Sequence, residues 1–338
     1  MSRKPQQQQV RVPPTQPIKE FWVITCYFNP CNYETRLRNF LQFSKGLSDQ
    51  NVNLLTVELC TSAEAAHLRD GVGTKYTRVV ADDVLWAKER LLNVALRHLP
   101  PECTQVCWCD CDILFQRADW ARMCSDLLRR HRVVQPFTAA VWLGPDETPA
   151  KHSRFRPSTS FARYFRHDRR SRTVVGSDDI LRSHPGYAWA ARRDVLERIG
   201  GFYDKCILGH GDIIMAMAFC HNPQVHGDIP IGEWERHWDP GWSSELKQDV
   251  RAWQRATSQE VAGDVTYCPG EIFHLFHGCK KNRDYDRRGT ALAAFRPSEH
   301  LVLHNDMWAW TPQAKRDGLV DACLAYFKNR REDDPRVV

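Results

Sequence analysis

The sequence predicts an α/β fold: a single Rossmann-like domain in which helices flank a mostly parallel central sheet. Three observations predict it. Short apolar, β-branched runs alternate with longer stretches whose apolar residues recur at helical spacing. That alternation is the pattern of parallel strands joined by crossover helices. The polar residues that stand out then fall just after the strands, at the edge where open α/β sheets bind ligands.

The elements follow in order. Phe21-Trp22-Val23-Ile24-Thr25-Cys26-Tyr27-Phe28 is short, β-branched and aromatic, and it stops at Asn29-Pro30, so it reads as a buried strand and a turn. Residues 33–47 carry Leu37, Phe40, Leu41 and Phe43 near helical spacing, and residues 53–59 form a second strand. Residues 85–99 form a helix with Leu91, Leu92, Ala95, Leu96 and Leu99 on its apolar side, ended by Pro100-Pro101. A third buried strand, 106–109, ends at Asp110 and Asp112, and residues 120–130 form another helix. Further on, residues 193–199 read as a helix before Gly200-Gly201. Residues 212–220 read as a helix with Asp212 near its start, and 271–276 as a strand running into His277-Gly278. Residues 312–328 are helical in pattern, and the polar, Trp-rich stretch 234–253 takes no assignment. There is no internal repeat and no clear linker. The expected boundaries are a disordered tail over 1–19, one domain over 20–310, and a C-terminal helix and tail over 311–338.

Composition is that of a globular protein with a sizeable core: 42% hydrophobic and 26% charged residues. No window approaches the roughly 18 apolar residues of a membrane span. The first 20 residues lack the apolar segment of a secretory signal. The 13 cysteines are odd in number and irregularly spaced, which fits reduced thiols and a cytoplasmic location better than a disulfide scaffold. Cys107, Cys109 and Cys111 alternate on one strand face; small buried hydrophobes explain them better than a zinc site. The net charge of +6 is local. Residues 151–173 hold eight Lys or Arg and one Asp, a charge of +7, which leaves −1 for the rest. Such a loop suits phosphate groups, nucleic acid or an anionic membrane surface, or it is simply solvated.

The sharpest chemical signal is Cys107-Trp108-Cys109-Asp110-Cys111-Asp112-Ile113-Leu114-Phe115. Two carboxylates, two residues apart, follow a buried strand. They suit a hard divalent ion such as Mn²⁺ or Mg²⁺ bridging to a diphosphate and acting as Lewis acid. A second signal is His274-Leu275-Phe276-His277-Gly278-Cys279-Lys280-Lys281-Asn282, where histidines at i and i+3 can converge on a metal and the lysines can face phosphates. A third is the segment Gly186-Tyr187-Ala188-Trp189-Ala190, then Ile199-Gly200-Gly201-Phe202, then Gly209-His210-Gly211-Asp212. Its glycines let backbone approach a ligand. Asp212 either caps its helix or acts as a base toward a hydroxyl.

In this order the pieces resemble glycosyltransferases of the GT-A fold, and among them most of all the inverting β-1,4-galactosyltransferase type. Asp110-Cys111-Asp112 matches the D-x-D element. Gly200-Gly201-Phe202 matches the "GGF" turn, and residues 209–212 fall where the acidic motif belongs. His274 and His277 take the positions of the later metal motif. The resemblance spans residues 21–290. It implies Asp112 and His277 as metal ligands, with Asp110 and His274 beside them; Asp110 is also placed to reach the ribose or the sugar. It implies that Thr25, Tyr27, Asn29 and Glu58 line the nucleotide pocket. Lys88, Asn93 and Trp189 would contact the donor, and Lys280 and Lys281 its phosphates. The family has a run of carboxylates at the acidic motif, whereas this chain has Asp212 followed by Ile213-Ile214-Met215. Asp212 therefore matches either the sugar-binding acid or the base, and both inverting and retaining outcomes stay open.

The expected activity is transfer of a sugar from a nucleotide-sugar, a UDP-sugar by resemblance, to a hydroxyl on a glycan, lipid or protein. Two enzymatic rivals share the D-x-D and the sheet edge: a nucleotidyltransferase and a nucleotide-sugar hydrolase. Neither needs the 186–212 segment. A nucleic-acid-binding protein would use the basic loop with its interleaved Phe155, Phe161, Tyr164 and Phe165, yet no nucleic-acid motif accompanies it. A carbohydrate-binding module could use the 12 tryptophans but would have no need of paired aspartates.

Overall fold

The structure, a computed structural model, describes residues 16–62, 65–68, 72–150, 158–168, 183–226, 241–283 and 288–335. Most of the expected tail (1–15) and two parts of the basic loop (151–157 and 169–173) lie outside the described residues.

The alternation read from the sequence builds the first half of the fold. Strand β1 (Phe21–Phe28) leads to helix α1 (Glu34–Asp49), β2 (Asn53–Cys60) and β3 (Lys75–Val80). Helix α2 (Lys88–His98), β4 (Gln105–Cys109), β5 (Ile113–Phe115) and α3 (Trp120–Leu128) follow. Next come β6 (Val133–Gln135), β7 (Ala139–Trp142), β8 (Ser158–Ser160), β9 (Ser183–His184), β10 (Ala188–Arg192), α4 (Arg193–Arg198) and α5 (Gly211–Cys220). Apart from short helical turns, the main later elements are α6 (Ser244–Val261), β11 (Val265–Tyr267), β12 (Glu271–His274), the hairpin β13 (Leu301–His304) and β14 (Met307–Trp310), and α7 (Leu319–Asn329).

Seven strands form the central sheet in the order β11-β6-β10-β4-β1-β2-β3. All run parallel except β10, which is antiparallel to both of its neighbours. This is the expected α/β architecture. Because side chains alternate along a strand, β1 feeds two cores. Trp22, Ile24, Cys26 and Phe28 pack with Leu91, Leu92 and Ala95 of α2 on one face. Phe21 and Val23 pack with Phe43 and Leu47 of α1 and Trp120 of α3 on the other. Trp120 stacks on Phe115 with ring centroids 3.7 Å apart.

A smaller sheet, in the order β5-β12-β7-β8-β9, grows from the end of β4. Its register matters for the site. β12 runs antiparallel to β5 and pairs His274 with Ile113, the residue after Asp112.

Several features differ from the sequence expectation, which assigned none of the strands β3, β5 to β11, β13 and β14. The helical stretch 312–328 is two helices, Pro312–Arg316 and Leu319–Asn329, because Gly318 between them takes a left-handed φ of 73°. The unassigned stretch leads into α6, whose N-terminus is capped by Ser243 accepting from Leu246 N. β3 was not expected at all; it is a partly exposed edge strand without an apolar run. Helix α7 joins the main core through Leu319, Cys323, Tyr326 and Phe327. All 13 cysteines are free thiols. Among the described residues, no helix is long and apolar enough to cross a membrane.

Candidate active site

The carboxyl ends of β1 and β4 open into a cleft, and the D-x-D loop forms its floor. Thr25 is buried and donates from its hydroxyl to Cys109 O at 2.8 Å, which ties β1 to the last residue of β4. Asp110 N donates to Tyr187 O at 2.7 Å, and Leu275 N donates to Asp112 O at 2.8 Å. The loop is thus held by the backbone on both sides.

Asp112, His274 and His277 meet in space. Asp112 Oδ2 lies 3.1 Å from His277 Nε2 and 3.7 Å from His274 Nε2. The two Nε2 atoms are 3.0 Å apart, and one donor atom from each residue lies within 4.8 Å of the others. Asp112 Oδ1 is buried without a hydrogen-bond partner. A buried carboxylate oxygen left unpaired is costly, and a cation would satisfy it. One carboxylate with two imidazoles is a donor set for a first-row divalent ion: the carboxylate suits Mn²⁺ and the imidazoles widen the choice to Fe²⁺ or Zn²⁺, so these residues can hold the implied metal.

The electrostatics agree. Burial pushes Asp112 up, but the hydrogen bond with His274 and the Arg283 guanidinium hold its carboxyl below the usual range. Burial and the nearby Arg283 guanidinium push His277 down to about 3, against the pull of Asp112. The imidazole is therefore neutral and can offer a lone pair. Arg283 Nη2 lies 2.7 Å from His277 Nε2 and 3.1 Å from Nδ1, a cationic group already against the ligand set.

The other side of the cleft is organised by Lys88, at the start of α2. Its Nζ lies 2.6 Å from Asp110 Oδ1 and 2.8 Å from Asp212 Oδ1, so one ammonium bridges both carboxylates. Burial disfavours the Lys88 charge, but Asp110 and Asp212 raise it well above the usual lysine value. Burial lifts Asp110 to about 7; Lys88 opposes this, and Asp212 and Asp112 add to it. Asp212 sits in the first turn of α5, after His210 in a left-handed conformation. Gly186 makes room for it: a Cβ there would stand 2.8 Å from Asp212 Oδ2.

The cleft thus brings together Lys88, Asp110, Asp112, Asp212, His274 and His277. Other expected residues lie elsewhere. Glu58 is fully buried, and its carboxylate accepts from His67 N, Leu68 N and the Tyr76 hydroxyl. Tyr27 packs on Phe40, and Asn29 donates to the Tyr27 hydroxyl and to Tyr33 O. Trp189 is 1% exposed, packs on Phe219 and donates to Pro185 O. Asn93 lines a separate hollow of about 540 Å³ beside the Gly200-Gly201-Phe202 turn, where it exchanges hydrogen bonds with the Phe202 backbone. Lys281 is exposed, and the Lys280 side chain lies outside the described residues.

The sequence reading missed Arg36, Trp142, Arg283, Arg330 and Glu332, all of which line the cleft. Arg36 had a positional signal, since it opens α1 just after β1. Arg330 and Glu332 had none; they arrive from the far end of the chain.

No known protein family and no curated protein matches the chain by sequence. Solved structures are similar to it in shape, at low identity. The catalytic domain of Drosophila beta1,4galactosyltransferase 7, in complex with xylobiose, is 12% identical over 59% of this chain and 60% of its own, with a TM-score of 0.31. TarS 1-349 of S. aureus in complex with UDP-GlcNAc is 14% identical over 59% of this chain and 52% of its own, at 0.34. Glucosyl-3-phosphoglycerate synthase from Mycobacterium tuberculosis, with Mn²⁺, UDP and phosphoglyceric acid, is 10% identical over 87% of both chains, at 0.37. The chain thus spans about three fifths of the galactosyltransferase structure and about half of TarS. At this level of likeness the chemistry rests on the chain's own residues.

Proposed function

We propose that the protein is a divalent-metal-dependent glycosyltransferase that moves a sugar from a nucleotide-sugar, a UDP-sugar, to a hydroxyl of a glycan, lipid or protein acceptor. One observation carries the reading: a metal-competent Asp112–His274–His277 cluster shares a cleft with Asp212, at the carboxyl edge of a mostly parallel sheet.

Asp112, His274 and His277 would hold Mn²⁺ or Mg²⁺, with Asp110 beside them. When bound, the ion neutralises charge on the nucleoside diphosphate leaving group. The chain's residues do the rest. Lys88 fixes Asp110 and Asp212 relative to each other through one ammonium. Asp212 keeps 34% of its side chain exposed and is held by Lys88 through Oδ1. It is therefore reachable by an acceptor hydroxyl. Asp212 takes the hydroxyl proton as that oxygen attacks the anomeric carbon, and the bond from that carbon to the diphosphate breaks. A single in-line displacement of this kind inverts the anomeric centre. Arg283, against His277, adds positive charge where the diphosphate departs.

The test is donor turnover with Mn²⁺ across a panel of nucleotide-sugars, on wild type and Asp112→Ala. Release of nucleoside diphosphate from one donor, abolished by chelator and by the substitution, is expected. Release that survives both would refute the metal-dependent reading.

A further inference from the structure

We propose that Glu332, in the strap that follows α7, is a positioning residue for His277: it faces Nδ1 of the ring and so leaves Nε2 turned toward Asp112. The inference deepens the metal reading above and rests on it.

Glu332 Oε1 lies 3.9 Å from His277 Nδ1. The carboxylate is only 1% exposed and is itself clamped. Arg36 donates from Nε to Oε2 at 2.7 Å and from Nη2 to Oε1 at 3.1 Å, and Arg330 Nε donates to Oε1. Burial opposes the charge, but Arg330 and Arg36 hold the carboxyl well below the usual range. An ionised carboxylate is thus fixed behind the imidazole. Arg283 Nη2 lies between the two ring nitrogens, 2.7 Å from Nε2 and 3.1 Å from Nδ1, and so selects neither tautomer. The ionised carboxylate on the Nδ1 side favours the tautomer with the proton on Nδ1. At 3.9 Å the pair is a charge contact longer than a hydrogen bond; a carboxylate on that side of a metal-binding histidine orients the ring and raises its basicity.

The strap is anchored where this role requires it. Asp333 accepts from Glu34 N and Thr35 N, two free N–H groups at the start of α1. The Tyr33 hydroxyl donates to Phe327 O and accepts from Arg331 N. Gly278, immediately after His277, has φ +84°, and a Cβ there would stand 3.0 Å from both Arg331 O and Glu332 Cα. The histidine loop and the strap therefore meet through backbone as well as side chain.

Two measurements test the proposal. Mn²⁺ is titrated into metal-free wild type, Glu332→Gln and Glu332→Asp, with free Mn²⁺ read by electron paramagnetic resonance. Glu332→Gln is expected to raise the Kd about 10- to 100-fold, and Glu332→Asp to recover part of that loss. The tautomer of His277 is read in metal-free wild type by long-range proton–nitrogen NMR, and a proton on Nδ1 is expected. Wild-type affinity in Glu332→Gln, or a proton on Nε2, overturns the proposal and leaves the metal reading standing. A wild type that binds no Mn²⁺ overturns the metal reading and this inference with it. If Glu332→Gln does not fold, the tautomer decides alone.

Discussion

Glu89 offers a pH test of the site that needs no substrate. It follows Lys88 on α2, is 2% exposed, and its carboxyl is pushed up to about 8 from 4.5. Burial is the main cause; Lys88 opposes it, and Asp212 and Asp110 add to it. The folded protein therefore keeps a proton that the unfolded chain gives up above pH 4.5. The stability tied to that proton is fully present below 4.5 and is lost as pH rises through 8. The slope is about 1.4 kcal/mol per pH unit inside that window. Glu89→Gln keeps the shape and removes the titration. Between pH 5 and pH 8 the substituted protein should gain about 4 kcal/mol on wild type. Urea unfolding at pH 5, 6, 7 and 8 reads the difference directly. A Glu89→Gln difference that stays flat from pH 5 to 8 would refute the claim that Glu89 is buried neutral.

Two further predictions concern the acidic side of the cleft. Gly186→Ala places a Cβ 2.8 Å from Asp212 Oδ2, so the carboxylate must move; kcat should fall about 100-fold with Mn²⁺ affinity unchanged, and equal losses in both would place Asp212 with the metal ligands instead. Lys88→Met leaves Asp110 and Asp212 facing each other without their shared cation. Since they keep 26% and 34% of their side chains exposed, the cost should be about 1–3 kcal/mol, less than for a fully buried pair, and an unchanged urea midpoint would show that Lys88 does not hold them together.

How much of this was legible depended on whether the information was local. β1, β2, β4 and the first three helices announce themselves because each has an apolar face of clear period and a marked end, such as Pro100-Pro101 after α2. β3 has no apolar run, since it lies at the sheet's edge and stays partly exposed. Helix α6 carries its buried Leu246, Val250, Gln254, Thr257, Ser258 and Val261 near helical spacing, but three of the six are polar and blur the stripe. At the site, the D-x-D and the His-x-x-His were each visible, yet their convergence comes from the β12–β5 register, a long-range pairing. Glu58 stood at the right strand end, but its carboxylate is taken up by the N–H groups of residues 67 and 68. Arg330 and Glu332 reach the cleft only because α7 packs on the core and Asp333 caps α1, and no spacing rule could report that.

The cleft's charge explains why metal and donor should bind as a pair. Among the described residues, its lining holds four fixed cations, Arg36, Lys88, Arg283 and Arg330, and four carboxylates, Asp110, Asp112, Asp212 and Glu332. The formal sum is zero, with His277 neutral. A nucleoside diphosphate entering alone would bring uncompensated negative charge into a site where Asp112 and Glu332 are already ionised. A divalent ion alone would leave the opposite excess. Together the two nearly cancel, so each should strengthen the other, and by linkage the two factors must be equal. A coupling of about 1–3 kcal/mol, or 5- to 150-fold in affinity, is the ordinary scale. Calorimetric titration of UDP with and without saturating Mn²⁺, and of Mn²⁺ with and without saturating UDP, measures both arms on one thermodynamic cycle. UDP affinity that does not respond to Mn²⁺ would mean that the cleft's cations already serve the diphosphate, and that Asp112 and the histidines bind their ion for some other purpose.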